Sequence, residues 1–294
     1  MQNRSIGLTR AAEIVPPQVW FGVSAVFHYL GPSFAVLLFP AVGALGVAWF
    51  RIASAAFFFA PWTRPWRTWL ASDRRTRRLL IGLGLSLAIM NTSFYLALDR
   101  LPMSLVAAIE FVGTIGVALF GLRTPRNVAA LGLAVLGVFI LIDVKWGSDP
   151  IGLAFAFLNG ALFVVYIVLG HRIAREGAAD GVDRLGAAMA LAFVFVMPIG
   201  LAQAIKAFAS PLLVLAGIGV GIASSVVPYV CDQFAMSRLP RASFALMLAL
   251  LPATATIIGA IVLTQIPSPQ DIIGILLVMG GIAVHQPVDE GERG

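Results

Sequence analysis

Apolar stretches of about twenty residues follow one another along almost the whole chain, with only short polar gaps between them. A helix of that length is what crosses the hydrocarbon core of a bilayer. The stretch 131–142 is apolar at consecutive positions, which does not fit the alternating strands of a membrane β-barrel. With 60% hydrophobic and only 12% charged residues, the chain also lacks the polar surface of a soluble protein. The sequence therefore predicts an all-α membrane protein.

Ten such stretches are separated by charged residues or by proline and glycine. The first apolar run follows Arg4 and Arg10 but shows no small-residue cleavage site, so we expect it to remain as the first helix. The predicted spans lie near residues 18–39, 41–61, 79–98, 102–121, 127–142, 150–170, 185–205, 211–236, 241–263 and 270–286.

Basic residues are concentrated in alternate gaps between these spans. Sixteen of the 20 lysines and arginines lie in gaps assigned to one side of the membrane, and Arg51 lies within a span. Only Arg100, Lys145 and Lys206 lie on the opposite side. Short loops rich in lysine and arginine stay in the cytoplasm. We therefore expect a multi-pass protein of the cell (inner) membrane with both termini cytoplasmic.

Two segments 138 residues apart resemble each other. Arg100-Leu101-Pro102 precedes the fourth predicted span, and Arg238-Leu239-Pro240 precedes the ninth. Because each half contains five spans, an odd number, the second copy must enter the membrane from the opposite side. The pattern predicts ten transmembrane helices arranged as two inverted five-helix repeats, residues 1–145 and 146–294.

Arg51 and Glu110 are ionisable residues near the middle of predicted spans. An ionised group at this depth costs about 2.5 to 3.5 kcal/mol, so it needs a partner or a water-filled cavity. Glu110 is interpreted either as a site for a proton or a substrate amine, or as half of a structural ion pair with Arg51. Arg51 is suited to hold a substrate carboxylate, to pair with Glu110, or to extend toward the membrane interface.

The third predicted span carries Asn91 and Tyr95, which share a helix face because they are four residues apart. They are interpreted either as part of a binding site or as a source of hydrogen bonds between helices.

A polar stripe of Ser225, Tyr229 and Asp232 lies on one face of the eighth predicted span. Pro228 lies beside it and, lacking an N–H, leaves one backbone carbonyl of the helix without its usual donor. The stripe is either a substrate surface or a water-exposed helix end.

Sequence motifs of enzymes and ATP-driven pumps are absent. The chain has no His-Glu-x-x-His, no Gly-x-Ser-x-Gly and no Gly-x-x-x-x-Gly-Lys. The net charge of +6 comes from short gaps rather than from one soluble face, which gives no surface for nucleic acid. We expect no enzymatic activity, no cofactor, no metal site and no nucleic-acid partner. The expected partners are a small-molecule substrate, the lipid bilayer and protons.

Short segments distributed along nearly the whole chain carry a family resemblance. They are Leu38-Phe39-Pro40-Ala41-Val42-Gly43, Gly46 with Arg51, Met90-Asn91 with Phe94-Tyr95, Leu101-Pro102, Ile109-Glu110-Phe111 with Gly113, Ser224-Ser225 with Pro228-Tyr229, Arg238-Leu239-Pro240, Phe244 and Pro252-Ala253. In these segments the chain resembles the EamA-type transporters of the drug/metabolite transporter superfamily, and in particular the threonine/homoserine exporter-like branch. The resemblance implies a ten-helix inverted repeat with a central cavity that exports amino acids or similar metabolites against proton entry.

Together, these observations favour a secondary-active exporter of a small polar metabolite, an amino acid or a related amphipathic compound, coupled to protons. In this hypothesis Glu110 accepts a proton or an amine, and Arg51 is its counter-ion. A multidrug or other metabolite carrier on the same scaffold is an alternative, and a non-transporting membrane enzyme or assembly factor is another. The predicted substrate-binding or proton-binding residues are Glu110, Arg51, Asn91, Tyr95, Ser225, Tyr229 and Asp232.

Overall fold

The computed structural model describes residues 15–121, 124–143, 149–174, 178–239, 247 and 250–284, and all regular structure within them is helical. The helices are α1 (Pro17–Val42), α2 (Ala44–Thr63), α3 (Pro65–Ala71), α4 (Arg74–Leu98), α5 (Met103–Gly121), α6 (Pro125–Asp143), α7 (Pro150–Ala174), α8 (Ala178–Ala204), α9 (Pro211–Gly221), α10 (Val227–Met236), α11 (Leu251–Leu263) and α12 (Pro269–Val284). A 3-10 helix, Ile205–Ala209, follows α8, and a π-helical turn, Ile222–Val226, joins α9 to α10. The prediction of an all-α chain is confirmed.

Six helical segments of the described chain are long and apolar enough to cross a membrane. They are Pro17–Val42, Ala44–Thr63, Arg74–Leu98, Pro150–Gly170, Gly181–Ala209 and Pro211–Met236. Four shorter apolar helical segments are Met103–Gly113, Pro125–Leu141, Leu251–Leu263 and Pro269–Val284. Every predicted span overlaps one of these segments, but the count of ten crossings stays a prediction. The chain termini, Lys145, Pro240 and Phe244 lie outside the described residues.

Local sequence signals begin the helices where the apolar runs begin. Proline is the first residue of α1, α3, α6, α7, α9 and α12, a position where its missing N–H costs no helical hydrogen bond. Asp73 caps α4 by accepting a hydrogen bond from Thr76 N at 2.8 Å, and Asp149 caps α7 by accepting one from Ile151 N at 2.9 Å. A single proline or capping residue is enough to begin each of these helices, so the polar gaps between them are short.

The helices pack in pairs that join the first half of the chain to the second. α2 packs along α8, α4 and α5 pack on α7, α6 packs along α12, and α1 packs on α10 and α11. Two glycines allow a close approach at the crossing of α6 and α12. A Cβ on Gly137 would lie 2.5 Å from the carbonyl oxygen of Gly274, and a Cβ on Gly274 would lie 2.9 Å from that of Gly137. Only glycine permits this approach.

Polar and apolar side chains are distributed as a lipid environment requires. Large apolar side chains face outward, among them Leu212 at 74% exposed and Ile261 at 73% exposed. Ionisable and amide side chains lie inside instead: Arg51, Asn91, Glu110, Asn159, Asp232 and Gln233 are each at most 8% exposed. Because burying polar groups is costly without a compensating partner, this interior is where a functional site is to be sought.

Candidate functional site

Arg51, on α2, lies at the centre of a buried hydrogen-bond network. Its side chain is 2% exposed. Its Nε donates to Ser225 Oγ at 2.9 Å, and its Nη2 donates to the carbonyl oxygen of Ser224 at 2.8 Å. Nη2 also lies 3.5 Å from the hydroxyl of Tyr229. The guanidinium is therefore held inside the protein, which excludes the interpretation that it extends to the membrane interface.

The Ser224 carbonyl is available to Arg51 because of the residue four positions further along. In an α-helix that carbonyl would accept from the N–H of residue 228, and Pro228 has none. The π-helical turn Ile222–Val226 immediately precedes this point. Gly31 on α1 lets the turn pack closely, since a Cβ there would lie 2.5 Å from Ser224 Oγ. Arg51 Nη2 thus donates to the carbonyl whose α-helical donor Pro228 lacks, which agrees with the expectation from the sequence.

The polar pair on α4 completes the network around Arg51. Tyr229 donates its hydroxyl hydrogen to Asn91 Oδ1 at 3.4 Å, and Asn91 Nδ2 donates to the Leu87 carbonyl at 2.6 Å. Tyr95 donates to Ser224 Oγ at 3.4 Å. The Arg51 guanidinium also lies over the Tyr95 ring, 5.4 Å from its centroid, which favours a cation–π interaction.

Asp232 lies on α10, three residues after Tyr229. It is 8% exposed, so the interpretation of its stripe as a water-exposed helix end is wrong. Its Oδ1 accepts from Ser24 Oγ at 2.6 Å, and its Oδ2 lies 3.5 Å from the hydroxyl of Tyr166. The ring of Tyr166 packs against that of Tyr229, with centroids 5.3 Å apart. Both carboxylate oxygens thus have a hydroxyl partner within the protein.

Glu110, on α5, does not form an ion pair with Arg51. Among the described residues, no ion pair closer than 4.0 Å joins Glu110 to Arg51, whereas one joins Arg100 to Asp149. Glu110 is 2% exposed, and its Oε2 has no hydrogen-bond partner. The charges of Arg51 and Glu110 are near enough to interact through the interior, but the predicted counter-ion contact is absent from this conformation.

Five of the seven predicted residues thus meet in one network: Arg51, Asn91, Tyr95, Ser225 and Tyr229. Ser24, Tyr166 and Ser224 also belong to this region but were missed. Serine is common within helices and a lone tyrosine carries no spacing signal. Ser24 lies four residues before His28, which is also buried, and that spacing was the available clue.

Curated proteins of known name are similar over most of this sequence. The "Threonine/homoserine exporter RhtA" of Escherichia coli (strain K12) is 34% identical over 255 residues, which cover 86% of this chain and 83% of that protein. The protein of the same name from Salmonella typhimurium (strain SL1344) is 34% identical over 238 residues, covering 80% of this chain and 79% of that protein. This chain belongs to the EamA-type transporters of the drug/metabolite transporter superfamily.

Two further comparisons agree with this assignment. The model of the EamA-like transporter family matches residues 150–285 of this EamA-type transporter. An "Uncharacterized transporter" of Archaeoglobus fulgidus is 25% identical over 252 residues, covering 80% of this chain and 85% of that protein. These proteins are named as transporters, which agrees with the expectation that the chain is not an enzyme.

The fold of this EamA-type transporter also resembles a known one. A crystal structure of a protein that is 21% identical in sequence superposes with a TM-score of 0.59. The alignment covers 91% of this chain and 96% of the other. At this level of identity the likeness concerns the fold alone, and it extends over both halves of the chain.

Proposed function

We propose that this EamA-type transporter is a secondary-active exporter of a small polar metabolite, an amino acid or a related amphipathic compound, driven by proton entry. The observation that carries the proposal is the buried guanidinium of Arg51, whose hydrogen bonds go to neutral groups only. A buried cation without a counter-ion attracts an anionic group, and a guanidinium binds a carboxylate with two parallel hydrogen bonds. The carboxylate of a substrate is such a group.

The named relatives support an amino acid as the substrate. The RhtA proteins are called threonine/homoserine exporters, and this chain covers 83% of the one from Escherichia coli (strain K12). Hydroxyl and amide groups surround Arg51, and they belong to Tyr229, Ser225, Asn91 and Tyr95. Each of these groups is able to exchange its present hydrogen bond for a bond to a polar solute. Glu110 has an unpartnered oxygen and is proposed to carry the coupling proton.

We further propose ten transmembrane helices in two inverted repeats, residues 1–145 and 146–294. In this arrangement α1, α2, α4, α5 and α6 correspond in order to α7, α8, α9 with α10, α11 and α12. A two-fold relation makes contacts occur in equivalent pairs. The packing of α4 and α5 on α7 has its counterpart in the packing of α10 and α11 on α1, while α2 meets its own equivalent α8 and α6 meets α12.

Asn91 and Tyr229 provide a second line of support for the repeat. They are 138 residues apart, which is the offset between the two Arg-Leu-Pro segments. They also touch, because the hydroxyl of Tyr229 donates to Asn91 Oδ1 at 3.4 Å. Two equivalent residues come into contact only when both lie near the symmetry axis. The proposed axis therefore passes through the candidate site.

Long-range hydrogen bonds agree with the proposed order of crossings, while the proposal that the termini are cytoplasmic rests on the distribution of basic residues. Met103 N donates to Gln265 Oε1 at 3.1 Å, and both residues are assigned to the outer side. Arg126 Nε donates to the Val284 carbonyl at 2.7 Å, and both are assigned to the cytoplasmic side. If the helices crossed the membrane in a different order, the two residues of each pair would lie at opposite membrane surfaces and could not form a hydrogen bond.

Flux measurements with the purified protein in liposomes test the proposed function. An imposed pH gradient should drive radiolabelled L-threonine across the membrane. Arg51→Lys should reduce the flux at least about tenfold, because an ammonium does not reproduce the forked geometry. Glu110→Gln should abolish the acceleration by the pH gradient. The exposed Arg67 provides the matched control, since Arg67→Lys should leave flux unchanged. Flux equal to that of protein-free liposomes for threonine and homoserine would refute the proposal.

A further inference from the structure

Two of the buried carboxylates in the described part of the chain, Asp232 and Glu110, differ in whether both of their oxygens have a hydrogen-bond partner. Asp232 accepts a hydrogen bond from Ser24 at 2.6 Å and lies 3.5 Å from the Tyr166 hydroxyl, so each of its oxygens has a partner. Glu110 leaves Oε2 buried without a partner. A buried, unpaired carboxylate oxygen is costly, so it calls for a partner such as an ordered water, an ion or a ligand, or for a functional role.

Asn159, on α7, is the residue that faces Glu110 across the α5–α7 contact. The backbones there are close, because a Cβ on the neighbouring Gly160 would lie 3.1 Å from the Cα of Glu110. Asn159 is 1% exposed; neither its Nδ2 nor its Oδ1 forms a hydrogen bond of good geometry, and its one indicated polar interaction is with the Glu110 carboxylate. The two buried side chains therefore form a polar pair that the rest of the fold leaves incompletely satisfied.

Tyr29, on α1, belongs to the same region. Its hydroxyl is buried and unpartnered, and the charge of Glu110 acts on it. Aromatic contacts hold the three helices together at this level: the ring of Phe163 lies 6.1 Å from that of His28 and 5.4 Å from that of Phe111. Unpaired polar groups from α1, α5 and α7 therefore lie at one level of the interior.

We propose that Glu110, Asn159 and Tyr29 form a subsite for the protonated amine of the substrate. This inference rests on the proposed function, in which Arg51 receives the carboxylate. An ammonium group has three N–H donors, and the subsite offers three acceptors: the free carboxylate oxygen, the Asn159 Oδ1 and the Tyr29 hydroxyl. Among the described residues, Arg51 and Glu110 are opposite charges with no ion-pair partner of their own, so a zwitterion neutralises both at once.

The subsite also gives the proton a defined place in the cycle. A protonated Glu110 is neutral and lacks the charge that holds an ammonium group, so proton and amine compete for one carboxylate. When a proton arrives, it displaces the substrate amine from the Glu110 carboxylate, and the substrate is released. Asn159 and Tyr29 are then specificity-determining residues, because they act on the amine and not on the proton.

Three related ligands separate the two ends of the substrate. L-Threonine has both charged groups, 3-hydroxybutanoate lacks the amine, and L-threoninol has a hydroxyl in place of the carboxylate. Binding of each to the purified protein is measured by calorimetry. Asn159→Leu should reduce the preference for L-threonine over 3-hydroxybutanoate at least about tenfold, while the preference over L-threoninol stays unchanged. Asn159→Asp, which keeps the acceptor, should retain amine recognition.

Two variants keep the test decisive. Tyr29→Phe removes only an unpartnered hydroxyl, so the protein should fold, and the amine preference should fall about threefold. Gln233 is the matched control, because it is another fully buried amide with no partner and lies near Gly170 instead. Gln233→Leu should leave the amine preference unchanged.

An equal loss of L-threonine and 3-hydroxybutanoate binding in Asn159→Leu and Tyr29→Phe would overturn the subsite while the exporter function stands. Absence of L-threonine binding and flux in the wild-type protein would overturn both.

Discussion

The side chain of Arg51 replaces a missing backbone donor: its Nη2 lies 2.8 Å from the carbonyl oxygen of Ser224, whose helical donor position is occupied by Pro228. An arginine from the first half of the chain is thereby bonded to the main chain of the second half. The same guanidinium also binds the Ser225 hydroxyl at 2.9 Å. The irregular helix around Ser224 and Ser225 and the candidate site therefore coincide in the fold.

Pro228→Ala should separate stability from transport. The new N–H at position 228 is expected to donate to the Ser224 carbonyl, which removes an acceptor from Arg51. Helix stability should rise, since proline in a helix interior costs up to about 3 kcal/mol relative to alanine. We expect an unchanged or higher Tm together with a flux of L-threonine that is about tenfold lower.

Pro198 is the matched control, because it is an exposed proline in the interior of α8, and Pro198→Ala should leave flux unchanged. Normal flux in Pro228→Ala would show that Arg51 does not depend on this carbonyl.

Gly137→Ala should destabilise the crossing of α6 and α12. The added methyl group would lie 2.5 Å from the Gly274 carbonyl oxygen and 2.8 Å from Val278 Cγ2, so the helices must separate. Overpacking of this kind costs about 1 to 3 kcal/mol, which a lower Tm would report. Gly132, on the same helix, is the matched control, because a Cβ added there would meet nothing within 4 Å. Gly132→Ala should be neutral or stabilising, because alanine is the better helix former.

The two ends of α4 should face opposite sides of the membrane. The helix has 25 residues and is about 37 Å long, enough to span a bilayer. In a Cys231→Ser background, a membrane-impermeant maleimide added to intact cells should label Asp99→Cys and not Arg75→Cys. The native cysteine is buried, so its removal reduces background labelling only. Labelling of the Arg75 position alone would reverse the proposed topology.

The Arg100–Asp149 pair should contribute a pH-dependent stability. Its hydrogen bond from Arg100, together with bonds from the backbone N–H groups of Ile151 and Gly152, lowers the pKa of Asp149 below its usual value. A lowered pKa means that the contribution is present above the unfolded value of about 3.9 and is lost as pH falls through the folded value. Asp149→Asn keeps the helix cap and removes the charge, so it should lower Tm slightly at pH 7.

The Tm difference between the wild type and Asp149→Asn should shrink steadily below about pH 4, where the carboxylate becomes protonated. Thermal unfolding at pH 7, 5, 4 and 3 measures it. Added salt should reduce the difference at pH 7 as well, because the pair is exposed to solvent. A difference that is independent of both pH and salt would assign the effect to capping geometry and not to charge.

The sequence predicts this fold well because burial in lipid leaves few choices. Each predicted span overlaps an apolar helical segment of the structure, since a run such as 131–142 has no other way to satisfy its backbone in a bilayer. The short helix Pro65–Ala71 was not predicted. It lies in the basic loop, where three tryptophans interrupt the charges, and apolar periodicity is too brief there to indicate a helix.

Most members of the candidate site were predictable from the sequence, but their contacts were not. Arg51 and Glu110 stand out because charge is rare inside spans, yet their separation depends on how helices from the two halves pack, and spacing along one helix carries no information about that. The two interpretations of the Asp232 stripe stayed open for the same reason: the burial of Asp232 follows from α1, which packs on α10 and brings Ser24 against it. The 138-residue offset relates Asn91 to Tyr229, but it does not imply that they touch, which the structure alone shows.

The contact between Asn91 and Tyr229 has a mechanical consequence in the proposed inverted repeat. In a rocking motion of the two halves about a pivot at this contact, displacement grows with distance from the pivot, so the pair would stay almost still. The helix ends at the two membrane surfaces, being furthest from the pivot, would travel most. A solute held beside Asn91 and Tyr229 would then remain at nearly the same depth throughout, and the way out would open on one side of it as the way in closes on the other.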